Sequence, residues 1–369
     1  MIIFEFMKFE NTNKLKQLID NSNNIVIIPH TNPDGDAVGS CLALHCIFKK
    51  LKKTSIVLSP NTAPDFYSWT PSFDQIVYFE DNPKIGEKII NECDLIFTLD
   101  FNDLNRIGDL GNIITKASSN IVMIDHHQNP KNYADLIFSQ PDIGSTCELL
   151  YEIFMSLNYK KLIDKDISTC LYLGIMTDTG SFQYSSVSSR THEIVSDLLK
   201  NKINNSKIYN KVYNDSSKSR LNILGSALNN LTHLKSYATA YMYINRVDLE
   251  RFDYKKGDSE GIVNYGLSLK DVIFCAIFIE DINDDDNVKI SFRSIGDFPC
   301  NKFAEENFNG GGHINASGGR FEGSAKKAIE HFLKVIPNYK NKLIKNEKTI
   351  LHSYIFNRFY FFLMCKYSP

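Results

Sequence analysis

One stretch concentrates groups that can do chemistry: His30-Thr31-Asn32-Pro33-Asp34-Gly35-Asp36-Ala37-Val38-Gly39-Ser40. It carries an imidazole and two carboxylates within seven residues. Pro33 and Gly35 bend the chain so that His30, Asp34 and Asp36 can converge. Left alone, such a cluster repels itself and is costly to bury. A cation among the groups relieves both problems. More acids and imidazoles follow at Asp100, at Asp125-His126-His127 and at Asp178 within Thr177-Asp178-Thr179-Gly180. The donor set is rich in carboxylate, includes histidine and has no thiolate. That chemistry suits Mn²⁺ or Mg²⁺ better than a structural zinc. Four aspartates and two histidines exceed what one octahedral ion with open positions can use. They suit two ions about 3.5–4 Å apart, sharing a carboxylate and a water, and the chemistry this favours is hydrolysis of a phosphoester.

A second cluster, Asn309-Gly310-Gly311-Gly312-His313-Ile314-Asn315-Ala316-Ser317-Gly318-Gly319, follows a short helical pattern. Read as a turn, Gly310–His313 offers backbone N–H groups for an anion, and His313 adds a donor. Arg293, next to Ser294 at the end of a strand pattern, has the guanidinium fork that grips a phosphate bidentately.

These groups need elements to position them. Short apolar, β-branched runs at Ile25–Ile28, Ser55–Leu58, Gln75–Phe79, Asp94–Leu99 and Asn120–Ile124 alternate with helical patterns, among them Ala37–Leu51 and Glu87–Asn91. That is the signature of a parallel sheet covered on both faces. In such a sheet the strand ends form one crevice, so His30, Asp34, Asp36, Asp100 and the Asp125–His127 run meet there, joined by Asp178. Ser145-Thr146-Cys147-Glu148 reads as a capping box. Strand patterns at Tyr237–Arg246, Val272–Ile279 and Val288–Ser294, with helices at Asn301–Phe308 and Lys326–Val335, predict a smaller mixed-sheet α/β domain. The Asn-, Lys- and Ser-rich stretch after Leu199 places a boundary there. The expected division is 10–200, a linker at 201–228, a second domain at 229–340 and an atypical tail at 341–369.

Composition narrows the function classes. Hydrophobic residues make up 43% of 369 and the net charge is −2, as in an ordinary globular protein without a dominant polyanion-binding surface. Eight cysteines form no CxxC pair, which excludes a thiolate zinc site and fits reduced, buried thiols in the cytoplasm. No signal peptide or spanning segment is expected.

HTNPDGDAVGS, the Asp100 strand end, Asp125-His126-His127 and TDTG at 177–180 resemble the DHH phosphoesterases. GGGHINASGG, after the strand Val288–Ser294, resembles the C-terminal domain associated with them. Order and spacing look most like the two-domain bacterial oligoribonucleases of the nanoRNase type, which include enzymes acting on 3′-phosphoadenosine 5′-phosphate. The resemblance covers about residues 10 to 340 and implies two Mn²⁺ ions, with Mg²⁺ as the alternative. It implies His30, Asp34 and Asp100 as ligands of one, and Asp36, Asp100, His126 and Asp178 of the other. Asp125 is implied to orient the site and His127 to face the substrate and protonate the leaving oxygen. Arg293, Ser294, Gly310, Gly311, Gly312, His313 and Arg106 correspond to residues that hold the substrate. The implied substrates are short single-stranded oligonucleotides or nucleotides, bound in a cleft between the domains of a homodimer-forming protein.

Overall fold

The computed structural model describes residues 9–255, 257–284 and 286–344. The chain divides into two compact units between Asp215 and Ser216.

The first unit begins with α1 (Thr12–Asn21), β1 (Asn24–Ile28), α2 (Gly35–Lys50), β2 (Thr54–Ser59), β3 (Val77–Tyr78), α3 (Pro83–Asn91) and β4 (Leu95–Leu99). It continues through α4 (Asp109–Ile114), β5 (Asn120–Asp125), β6 (Leu136–Ser139), α5 (Thr146–Ser156), α6 (Lys165–Asp178), α7 (Ser189–Leu199) and α8 (Asn205–Tyr209). All six strands are parallel, in the order β3-β2-β1-β4-β5-β6. The strands bury both faces because their side chains alternate between two apolar layers. In β1, Ile25 and Ile27 pack into one layer and Val26 and Ile28 into the other. The order reverses between β1 and β4, which opens a crevice at the carboxyl ends of these two strands.

Two strands of this sheet differ from the sequence expectation. The strand pattern at Gln75–Phe79 shrinks to Val77–Tyr78, because Phe73–Gln75 closes into a 3-10 turn. β6 was not anticipated; its four residues are too few to show a period. The stretch at 201–228, expected as a polar helical or irregular connection, is largely helical, and its apolar residues join the cores: Ile208 in the first unit, Ile223 and Ala227 in the second.

The second unit comprises α9 (Lys218–Asn229), β7 (Thr232–Leu234), β8 (Thr239–Ile244), α10 (Arg246–Arg251), β9 (Phe274–Glu280) and β10 (Asn287–Ser294). Then come α11 (Cys300–Asn307), β11 (Gly311–His313), β12 (Ala316–Glu322) and α12 (Ala325–Val335). Its six strands run β11-β12-β10-β9-β8-β7, with β8–β9 parallel and the other pairs antiparallel. Phe274 and Phe278 of β9 pack with Phe303 of α11 and Phe332 of α12 on one face. Cys275 and Ile277 pack with Ile223 of α9 and Leu249 of α10 on the other. Leu343, in the expected tail, is fully buried in the first of these layers. The rest of the tail, 345–369, lies outside the described residues.

Candidate metal centre

The first turn of α2 makes Asp34 serve two purposes. Its Oδ1 accepts from the backbone N–H of Asp36 (3.0 Å) and Ala37 (3.1 Å), capping the helix. Its Oδ2 lies 3.8 Å from His30 Nε2. His30 Nδ1 pairs with the Thr31 carbonyl at 2.9 Å, which makes Nδ1 the protonated nitrogen of the neutral ring and leaves Nε2 as the donor atom. The loop itself is clasped by Asn61. Its Oδ1 accepts from Asn32 N–H (2.6 Å) and its Nδ2 donates to Asn32 Oδ1 (2.8 Å).

Asp100 follows β4 with φ +66°, a left-handed conformation that costs a non-glycine residue about 1–3 kcal/mol. The turn leaves its two oxygens facing different neighbours. Oδ2 is 3.5 Å from His30 Nε2, and Oδ1 is 3.6 Å from His126 Nε2. His126, just past β5, has its Nδ1 on the Ile143 carbonyl at 3.1 Å, so its Nε2 is also the donor. That Nε2 lies 3.1 Å from Asp178 Oδ2 and 3.9 Å from Asp36 Oδ2. Asp36 is held by the start of α5: Thr146 N–H reaches Oδ2 at 2.6 Å and Cys147 N–H reaches Oδ1 at 2.9 Å. Asp125 gives both oxygens to His127, one to the backbone N–H (2.9 Å) and one to Nδ1 (2.6 Å).

The donor atoms thus form two groups, His30–Asp34–Asp100 and Asp36–His126–Asp178, each with its ligand atoms within 4.8 Å of one another. Electrostatics explains why such groups call for cations. Burial disfavours charge on His30, but the adjacent carboxylates of Asp100 and Asp34 outweigh it and hold the imidazole at about 10. Burial likewise pushes Asp34 up, and its hydrogen bond and attraction to His30 bring it below the ordinary carboxylate range. Burial, with Asp100 and Asp178 nearby, drives Asp36 well above that range. Burial lowers His126, and Asp178 more than reverses it. Without ions, protons must neutralise the cluster. Hard divalent cations, given oxygen and imidazole donors with fixed tautomers, fit in their place.

Two glycine seams bring α2 against α6. A Cβ on Gly35 would sit 2.4 Å from Thr177 Oγ1, and one on Gly174 would sit 2.5 Å from Asp36 Oδ1. Sequence reasoning missed Thr146 and Gly174. The first was visible only as part of a capping box, and the second as an unremarked helical residue.

Among the expected substrate residues, Arg106 is exposed, and its carbonyl accepts from Thr31 N–H at 2.8 Å, tying it to the His30 loop. In the second unit the glycine run is a correction. Gly311–His313 is a strand rather than a turn, paired antiparallel with β12. Glycine is required because a Cβ at Gly310 would lie 2.0 Å from the Gly318 carbonyl, and Gly312 has φ +139°. The register sets Arg293, Ala316 and His313 in one row across β10, β12 and β11, hence on one face of the sheet. Ser294 points the other way. It is buried, donates to the Phe298 carbonyl (2.6 Å) and accepts from Asn315 Nδ2 (2.9 Å), so the structure does not bring it into that row.

Comparison with known proteins identifies the family of both units. Residues 24–175 match the DHH family, N-terminal domain, and residues 235–342 match the DHHA1 domain. The chain belongs to the DHH phosphoesterase family. The two matched segments contain five of the six residues of the donor groups and the Arg293 row; Asp178 lies three residues beyond the first. A crystal structure of an exopolyphosphatase-related protein from Bacteroides fragilis is 40% identical, with a TM-score of 0.86, covering 90% of this chain and 97% of that one. The bifunctional oligoribonuclease and PAP phosphatase NrnA of Bacillus subtilis is 24% identical over 80% of this chain and 88% of its own length. The cyclic-di-AMP phosphodiesterase GdpP of the same organism is 25% identical over 88% of this chain, which spans about half (49%) of that relative. Among the described residues no helix is long and apolar enough to cross a membrane.

Proposed function

We propose that this DHH-family protein is a two-metal phosphodiesterase that hydrolyses short oligoribonucleotides, dinucleotides above all, to mononucleotides, and also dephosphorylates 3′-phosphoadenosine 5′-phosphate. The observation that carries this reading is the pair of donor groups with Asp100 between them, one of its carboxylate oxygens facing His30 and the other His126. In this reading His30, Asp34 and Asp100 hold one Mn²⁺, and Asp36, Asp100, His126 and Asp178 hold the other.

The ions, when bound, supply Lewis acidity toward a phosphoryl group and make water a stronger acid. The remaining tasks fall to the chain's own side chains. Asp125 fixes the His127 ring by its Nδ1, so Nε2 is the atom that carries a proton to the departing ribose oxygen. Arg293, with His313 and the Gly311–Gly312 backbone beside it on the same sheet, grips the substrate's terminal phosphate. Arg106, whose backbone carbonyl is tied to the His30 loop, contributes a further cation.

A second reading, supported by the GdpP likeness, takes linear or cyclic dinucleotides of adenosine as substrates. A non-catalytic nucleotide-binding module is disfavoured because such a module has no need of a complete donor set. The deciding assay is turnover with Mn²⁺ on single strands of two to ten nucleotides, with 3′-phosphoadenosine 5′-phosphate and cyclic dinucleotides alongside. Fastest turnover of dinucleotides is expected. A strong preference for the longest strands would refute the reading, and preference for the cyclic compound would favour the second.

A further inference from the structure

The proposal concerns Thr146, the first residue of α5, and rests on the two-ion reading. Helix capping does not account for its side chain. Ser145 Oγ caps α5 by accepting from Glu148 N–H at 3.0 Å. The Thr146 hydroxyl is fully buried and donates instead to Asp100 Oδ1 at 2.9 Å, while its backbone N–H donates to Asp36 Oδ2 at 2.6 Å. One residue therefore touches two of the candidate ligands from two different elements.

Both contacts fall on the same side of the centre. Asp100 Oδ1 and Asp36 Oδ2 both face His126 Nε2, at 3.6 and 3.9 Å, with Asp178 Oδ2 nearer at 3.1 Å. The oxygens facing His30 are Asp100 Oδ2 and Asp34 Oδ2, and Thr146 hydrogen-bonds to neither. We propose that Thr146 is a positioning residue that holds the Asp100 carboxylate in its bridging orientation and so governs the affinity of the ion bound by Asp36, His126 and Asp178 more than that of the ion bound by His30 and Asp34. The hydroxyl fixes rotation of the carboxylate about its Cβ–Cγ bond. Without it, the carboxylate is free to rotate so that Oδ1 leaves its position facing His126. Partners that orient ligands in this way alter ion affinity by roughly 10–100-fold when removed.

The test compares Thr146→Val, which keeps the backbone N–H and the branched shape, with Thr146→Ser, which keeps the hydroxyl. Mn²⁺ binding to the full ion-free protein is followed by calorimetry, and coupling between ions by electron paramagnetic resonance. The wild type should bind two ions. Thr146→Val should bind the first normally and the second roughly 10–100-fold more weakly, with loss of the coupled spectrum, and Thr146→Ser should restore both. Fewer than two ions in the wild type would overturn the two-ion reading and this inference with it. Two ions bound by Thr146→Val with wild-type affinity would overturn the positioning role alone. So would equal weakening of both ions, or a lowered melting temperature with unchanged affinity, since either is what a merely structural residue produces.

Discussion

Gly174→Ala tests whether the close approach of α2 and α6 sets the position of Asp36. A Cβ at this position would lie 2.3 Å from Cys147 Sγ, 2.5 Å from Asp36 Oδ1 and 3.0 Å from Asp36 Cα, where ordinary contact begins near 3.4 Å. Cys147 and Asp36 are both buried, and the Asp36 Cα belongs to the α2 backbone, so no flexible side chain can yield. The helices must separate. Overpacking of this kind costs about 1–3 kcal/mol. Moving Asp36 weakens its bonds to the Thr146 and Cys147 N–H groups, and losing one such charged bond costs about 1.5–3 kcal/mol. Alanine returns about 1 kcal/mol of helix propensity. The net loss is about 1.5–5 kcal/mol. At about 2–4 °C per kcal/mol for a unit of this size, melting falls by roughly 3–20 °C. Gly225→Ala is the control, since it also lies inside a helix but has nothing within 4 Å of the added Cβ. It should gain about 1 kcal/mol and melt about 2–4 °C higher. Scanning calorimetry on the ion-free protein, followed by Mn²⁺ titration, reads both. If Gly174→Ala melts at or above the wild type and binds Mn²⁺ as tightly, the packing argument is wrong.

Asp100→Asn removes the carboxylate that faces both His30 and His126 and should lower dinucleotide turnover by about 10³-fold or more under saturating Mn²⁺, with the fold retained by circular dichroism. Arg293→Ala should raise KM roughly 10–100-fold while kcat changes little if, as proposed, the guanidinium holds a phosphate that does not react; a fall in kcat at constant KM would contradict that role. Glu148 is buried in α5 against the Thr191 hydroxyl, and burial, with Glu152 beside it, pushes its carboxyl up to about 7. Its folded value lies above the unfolded one of about 4.5. Its contribution is therefore fully present below about 4.5 and lost as pH rises toward 7. Glu148→Gln should remove that decline and be more stable than the wild type at pH 8 by up to about 3 kcal/mol, read from denaturant melts across pH; an unchanged pH slope would contradict the assignment.

The sequence by itself determined the local chemistry. Asp34 and Asp36 sit two apart at a helix start, the Asp125–His127 spacing lets one carboxylate hold both the backbone and the ring of its neighbour, and alternating apolar residues specify strands buried on both faces. These follow from short-range geometry and leave a pattern in the residue types. Tertiary structure decided which donors belong together. The split of Asp100 between His30 and His126 depends on β4 lying between β1 and β5, and the grip on Asp36 depends on α5, over a hundred residues away. The Gly311–His313 run illustrates the same limit. Three glycines and a histidine read as a turn until β12 pairs with them and turns His313 to the face that Arg293 shares. Contacts between residues far apart in the chain carry no local signal, because the energy that selects them comes from burial and pairing of whole elements rather than from any single residue's preference.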